Sequence, residues 1–217
     1  AMMNNLFNAL IFSLFGLVSA GPGAAEPATI AVLGDSLVHG YGLAPEAGFV
    51  PQMSRWLAGC GLDVTLINAG VSGDTTAGGL ARLDWTLGAD VDALVVALGG
   101  NDALRGLEPD AAKANLDAIL RAAASRDVPV LLVGIRAPGN FGIEYKLAFD
   151  AIYGDLASLH DVALYPDYLK VLFDLPDRGA MLRDYYQADA LHPNAQGVAL
   201  IVADIGRSEE HTSELQS

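Results

Sequence analysis

Cysteine is nearly absent. The 217-residue chain holds one, Cys60, which excludes an intrachain disulfide and any zinc site built on several thiolates. Cys60 lies between Gly59 and Gly61 at the expected end of a helix, with no histidine beside it. It reads as a small, inert, partly buried thiol.

Basic residues are scarce as well. Lys and Arg number 12 against 26 Asp and Glu, a formal charge of -14. Binding driven by counterion release needs clustered cations, so this balance argues against nucleic acid or anionic membrane as the main partner. Phosphate-loop spacings are missing too: the chain has neither G-x-x-x-x-G-K-[ST] nor G-x-G-x-x-G, which argues against a nucleotide site. G-x-S-x-G is absent, and with it the nucleophile elbow of α/β-hydrolases. There are no repeats and no interdomain linker, and the length suits one domain with a substantial core.

One long apolar run is present. Residues 6–18 are interrupted only by Asn8, Ser13 and Gly16, too short a stretch to span a bilayer. Small residues follow it, as at a signal-peptidase site. Residues 1–25 are therefore expected to be a secretory signal, with no stable membrane insertion once it is removed. At the other end, residues 207–217 break the apolar pattern abruptly and match one reading frame of a common short-read sequencing adapter. This stretch is read as a non-native tail that truncates the last helix, and the domain is placed at residues 26–206.

Between these ends, apolar strands alternate with helices. Residues 29–33 (TIAVL), 63–67 (DVTLI), 93–98 (ALVVAL), 129–135 (PVLLVGI) and 162–164 read as five strands. Helices are expected at 49–58, 77–87 and 109–124, within 141–159, and from Pro193 onward, with Pro193 as the first helical residue. This alternation predicts an α/β protein: a three-layer α/β/α sandwich with a flavodoxin-like parallel sheet of about five strands. Such sheets bind ligands beyond the carboxyl ends of their strands, where Ser36, Gly73 and Asn101 each follow a strand.

Ser36, in Gly34-Asp35-Ser36-Leu37, sits where a helix begins, a position that exposes both its Oγ and its N–H. A serine nucleophile needs a base, and the chain has four histidines. His211 belongs to the expected tail. His160 precedes the fifth strand, away from the sheet edge. His39 lies three positions from Ser36, poorly placed as base but able to line a pocket. His192 remains, and Asp189 three residues earlier can accept its Nδ1–H and leave Nε2 free for the serine proton. A metal site around Asp189 and His192 is the weaker alternative, because no second histidine stands at ligand spacing. Gly73 offers a backbone N–H and Asn101 a side-chain amide. With the Ser36 N–H, these would hold an oxyanion.

These four blocks in this order resemble the SGNH, or GDSL-type, serine hydrolase family. Asn68 to Thr76, Leu98 to Gly106 and Ile135 to Gly142 are further similar to its bacterial thioesterase–lysophospholipase–arylesterase branch. The resemblance implies a periplasmic or secreted enzyme, a monomer or weak dimer, that uses no cofactor or metal. Its substrates would be small acyl esters and thioesters, including aryl esters and lysophospholipids. It also implies substrate contacts from Asp35, Leu104, Ile135, Pro138, Phe141 and Leu191. The departure at Val38-His39 bears on pocket shape. Two alternatives remain open: a carbohydrate O-acetyl esterase of the same family, and a lipid- or glycan-binding module without catalysis.

Overall fold

The computed structural model describes residues 27–88 and 90–207. The apolar run at 6–18 and residues 208–217 lie outside that range. Five strands form one parallel sheet in the order β2-β1-β3-β4-β5. They are β1 (Ala28–Gly34), β2 (Val64–Gly70), β3 (Ala93–Ala97), β4 (Val130–Val133) and β5 (Ala163–Tyr165).

The apolar runs dictate this arrangement. Every residue of β3 and β4 is buried, as are five of the seven in β1. Strands apolar on both faces need helices on both sides of the sheet. On one side, α2 (Phe49–Gly59) packs with α10 (Ala195–Arg207). On the other, α6 (Pro109–Ala124) packs with α7 (Ile143–His160). Burying one Leu or Ile side chain contributes about 1.5–3 kcal/mol. The fully buried Ile30, Leu33, Leu94 and Leu132 therefore make the strands the rigid part on which the loops stand.

Register then places the loops. Gly34 pairs with Gly70 on one side and with Ala97 on the other, so β1, β2 and β3 end level. The chain winds in opposite directions from β1 and β3, which opens a crevice outside their carboxyl ends. Gly70 is required there: a Cβ on it would lie 2.3 Å from the His39 backbone nitrogen. Only glycine lets the end of β2 come so close to α1 (Ser36–His39).

Three features differ from the sequence reading. The helix expected at 77–87 is two short ones, α3 (Thr76–Ala81) and α4 (Leu83–Thr86), broken at Arg82. The Arg82 guanidinium donates to Asp74 Oδ2 (2.6 Å), Ala69 O (2.7 Å) and Gly34 O (2.9 Å), and this tie to two strand ends competes with helix continuity. The last helix does not begin at Pro193. Asn194 caps it, its Oδ1 accepting from the Gln196 and Gly197 N–H groups, while Pro193 bridges Tyr186 in antiparallel fashion. Cys60 is exposed rather than partly buried, because it caps α2 where the chain leaves the core.

Candidate active site

Asp35 follows β1 and caps α1, its Oδ1 accepting from Leu37 N (3.0 Å). Ser36 is thereby the first residue of a helix, and its N–H has no acceptor within that helix. Its Oγ lies 2.9 Å from His192 Nε2. The other ring nitrogen, Nδ1, lies 2.7 Å from Asp189 Oδ2.

The loop carrying the histidine is tightly folded. Asp189 Oδ1 accepts from the N–H groups of Leu191 (2.9 Å) and His192 (3.0 Å). Ala190, between them, has a φ of 53, a left-handed conformation that costs a non-glycine residue free energy. Gln187 anchors this turn. Its N–H donates to His192 O (2.8 Å), and its amide donates to Pro193 O (3.0 Å) and to Tyr41 O (2.8 Å). The Tyr41 ring sits 4.8 Å from the imidazole.

Electrostatics separates the two carboxylates near the imidazole. For Asp189, burial alone would raise the pKa. The N–H groups of His192 and Leu191 and the imidazole outweigh it and bring the carboxyl down to about 2. An ionised Asp189 accepts only, so Nδ1 carries the proton and Nε2 is left to accept from the Ser36 hydroxyl. Asp35 goes the other way. Burial pushes it up to about 6, against the opposing pull of the Leu37 N–H, His192 and Asn101.

Gly73 lies in the turn after β2 with a φ of 85, a value that favours glycine. Asn101 is the second residue of α5 (Gly100–Leu104), after β3. Its Nδ2 donates to Asp35 Oδ2 at 3.4 Å, and its Oδ1 accepts from Arg105 Nη2 at 3.4 Å. The same Arg105 nitrogen donates to Gly73 O at 2.9 Å.

Ser36, Gly73, Asn101 and His192 line one pocket of about 610 Å³, within the range of small-molecule sites. Asp35, Leu104, Ile135, Pro138 and Leu191 line it with them. Phe141 does not. Its ring packs 5.3 Å from that of Tyr145 and lies against Gly106. Asp189 stands behind His192 rather than in the wall.

The sequence reading missed Tyr41, Ser72, Leu169, Phe173 and Arg178 in the pocket wall. The last three come from α8 (Lys170–Phe173), α9 (Arg178–Tyr185) and the residue before α8, elements too short to show a period. The cap of α9 was visible all the same: Asp177 Oδ1 accepts from Ala180 N (3.0 Å). His160 closes α7 and meets Asp117 of α6, with 2.6 Å between Nε2 and Oδ1. His39 Nδ1 lies 2.8 Å from Ser72 Oγ. Among the described residues, no group of three His, Cys, Asp or Glu side chains is arranged to hold a metal.

A hydroxyl, an imidazole and a carboxylate in line, beside an exposed N–H and a side-chain amide, can perform nucleophilic acyl transfer. Comparison with known proteins agrees with that chemistry. Residues 32–200 match the model of the GDSL-like lipase/acylhydrolase family. The chain belongs to this family. It is 41% identical to esterase TesA of Pseudomonas aeruginosa over 170 residues, 78% of this chain and 81% of that protein. It is 36% identical to thioesterase 1/protease 1/lysophospholipase L1 of Escherichia coli K12 over 193 residues, 88% and 87% of the two chains. The crystal structure of AlinE4, an SGNH-hydrolase family esterase, superposes with a TM-score of 0.70 at 39% identity, covering 89% of this chain and 99% of that one.

Proposed function

We infer that this chain, a carboxylic ester hydrolase by family, works by two-step acyl transfer with Ser36 as nucleophile. His192 Nε2 takes the Ser36 proton as Oγ bonds to the substrate carbonyl carbon. The carbonyl oxygen becomes an oxyanion held by the N–H groups of Ser36 and Gly73 and the amide of Asn101. The carbon–oxygen or carbon–sulfur bond then breaks, and His192 gives its proton to the leaving alkoxide or thiolate. Water, deprotonated by the same nitrogen, attacks the acyl-enzyme and releases the acid and Ser36. Asp189 holds the imidazole in the required tautomer throughout.

The observation that carries this reading is the 2.9 Å approach of His192 Nε2 to Ser36 Oγ, with Asp189 2.7 Å behind it. Leu104, Ile135, Pro138, Leu169, Phe173 and Leu191 give the pocket a largely apolar wall. That wall favours aryl and short- or medium-chain acyl groups over a polar glycan. The name of the Escherichia coli relative extends the proposal to thioesters and to lysophospholipids, with acyl-CoA as the thioester to try first. The apolar run at 6–18 supports export to the periplasm or medium.

Initial rates on p-nitrophenyl esters and acyl-CoAs of increasing chain length test the proposal, with acetylated xylan as competitor. Preference for medium-chain acyl esters, abolished in Ser36→Ala, is expected. Preference for acetylated xylan would replace the substrate assignment, and full activity in Ser36→Ala would remove the mechanism.

A further inference from the structure

Arg105 stands outside the chemistry described so far, yet its guanidinium reaches two of its participants. Nη2 donates to Gly73 O at 2.9 Å and to Asn101 Oδ1 at 3.4 Å. The backbone adds a third tie, Arg105 N donating to Asn101 O at 3.2 Å. Gly73 and Asn101 come from different strand ends, after β2 and after β3, and a single nitrogen joins them. Among the described residues, no carboxylate pairs with this guanidinium. In a chain of formal charge -14, an unneutralised cation is unusual where it sits, beside the two groups that would face a developing oxyanion.

The contacts act in a definite direction. The hydrogen bond to Asn101 Oδ1 fixes the orientation of the amide: Oδ1 to Arg105, Nδ2 toward Asp35, the neighbour of Ser36 in the chain. Polarising that carbonyl also makes the Nδ2–H groups better donors. The bond to Gly73 O restrains the turn on the carbonyl side of Gly73, whose φ of 85 favours glycine, a residue with no side chain to anchor it.

We propose that Arg105 is a positioning residue that locks the Gly73 and Asn101 donors in the oxyanion-binding arrangement and adds positive potential behind them. The inference rests on the reading of Gly73 and Asn101 as oxyanion donors. Preorganised donors act on the transition state more than on bound substrate, so the effect belongs in kcat rather than KM. Arg105 is exposed, and solvent screening keeps the effect moderate.

The test is a double-mutant cycle on a p-nitrophenyl ester with Arg105→Ala, Asn101→Ala and both together, plus Arg105→Lys. Melting temperature and the rate of phosphonylation by a p-nitrophenyl phosphonate are measured in parallel. In Arg105→Ala, kcat and the phosphonylation rate should fall about tenfold, with KM within about twofold and an unchanged melting temperature. Lys, which keeps charge but lacks the planar fork, should restore part of the loss. Removing Arg105 should matter much less once Asn101 is already Ala. Wild-type kcat in Arg105→Ala beside a slow Asn101→Ala would overturn this inference alone. So would a loss confined to KM or to melting temperature, or losses that simply multiply in the double variant. Wild-type kcat in Asn101→Ala would instead remove the oxyanion reading on which it rests.

Discussion

His192 Nε2 lies 2.9 Å from Ser36 Oγ, although 156 positions separate the two residues along the chain. Two distant parts of the chain create this contact together. Ser36 is delivered by the end of β1. His192 is delivered by a turn held to the Tyr41 carbonyl through the Gln187 amide, at 2.8 Å. The sheet sets where the hydroxyl is, and the turn brings the imidazole to it.

If Asp189 orients that imidazole, replacing its charge should be costly while its shape is kept. Asn at 189 can still accept the Leu191 and His192 N–H groups, but its amide favours the wrong tautomer of His192. Asp189→Asn is expected to reduce kcat by about 10³–10⁴ with little change in KM. Steady-state kinetics on a p-nitrophenyl ester checks this, and a loss below about tenfold would contradict the role.

Asp35 gives a stability prediction with a defined sign. Its carboxyl is raised by burial from 3.8 to about 6 in the folded chain. Between these values the unfolded chain has already lost the proton that the folded chain keeps, so rising pH favours unfolding across this window. The penalty is complete above the folded value and absent below the unfolded one. Asp35→Asn removes the titration and preserves the cap on Leu37. It should raise stability by about 1–3 kcal/mol at pH 8, with the gain vanishing near pH 4. Thermal melts across that range decide it, and a gain independent of pH would contradict the account.

Arg82 ties the ends of β1 and β2 through Gly34 O and Ala69 O and is paired with Asp74 at 2.6 Å. Its side chain is mostly buried, so its removal leaves two carbonyls and a carboxylate poorly satisfied. Arg82→Ala should cost about 2–4 kcal/mol of stability. It should also slow turnover, because Gly34 leads directly into Ser36. Denaturant unfolding beside kinetics tests both, and a neutral substitution would show that the strand ends are held by the sheet alone.

Much of this arrangement was legible in the chain, and the particular residues show why. The strands were found because TIAVL and ALVVAL are apolar beyond what any half-exposed element carries. Ser36, Gly73, Asn101 and His192 line one pocket as the sequence predicts, because loops at one sheet edge converge whatever their separation in sequence. Phe141 packs on Tyr145 and is not part of the pocket wall, because spacing gives neighbourhood but not the packing of a ring. Proline suits the first helical position, which points to Pro193, yet the side chain of Asn194 caps α10 and begins the helix later. Arg82 broke a helix for tertiary reasons that no local pattern contains. Leu169, Phe173 and Arg178 escaped notice because their elements run from four to eight residues and bury only a single side chain each.

The most direct test of the central claim is covalent. Incubation with a fluorophosphonate, followed by intact mass and peptide mapping, reads out which oxygen is the nucleophile. The account predicts a single adduct on Ser36, formed far more slowly in His192→Ala. An adduct on another residue such as Ser72, or no adduct on a chain that still hydrolyses esters, would contradict it.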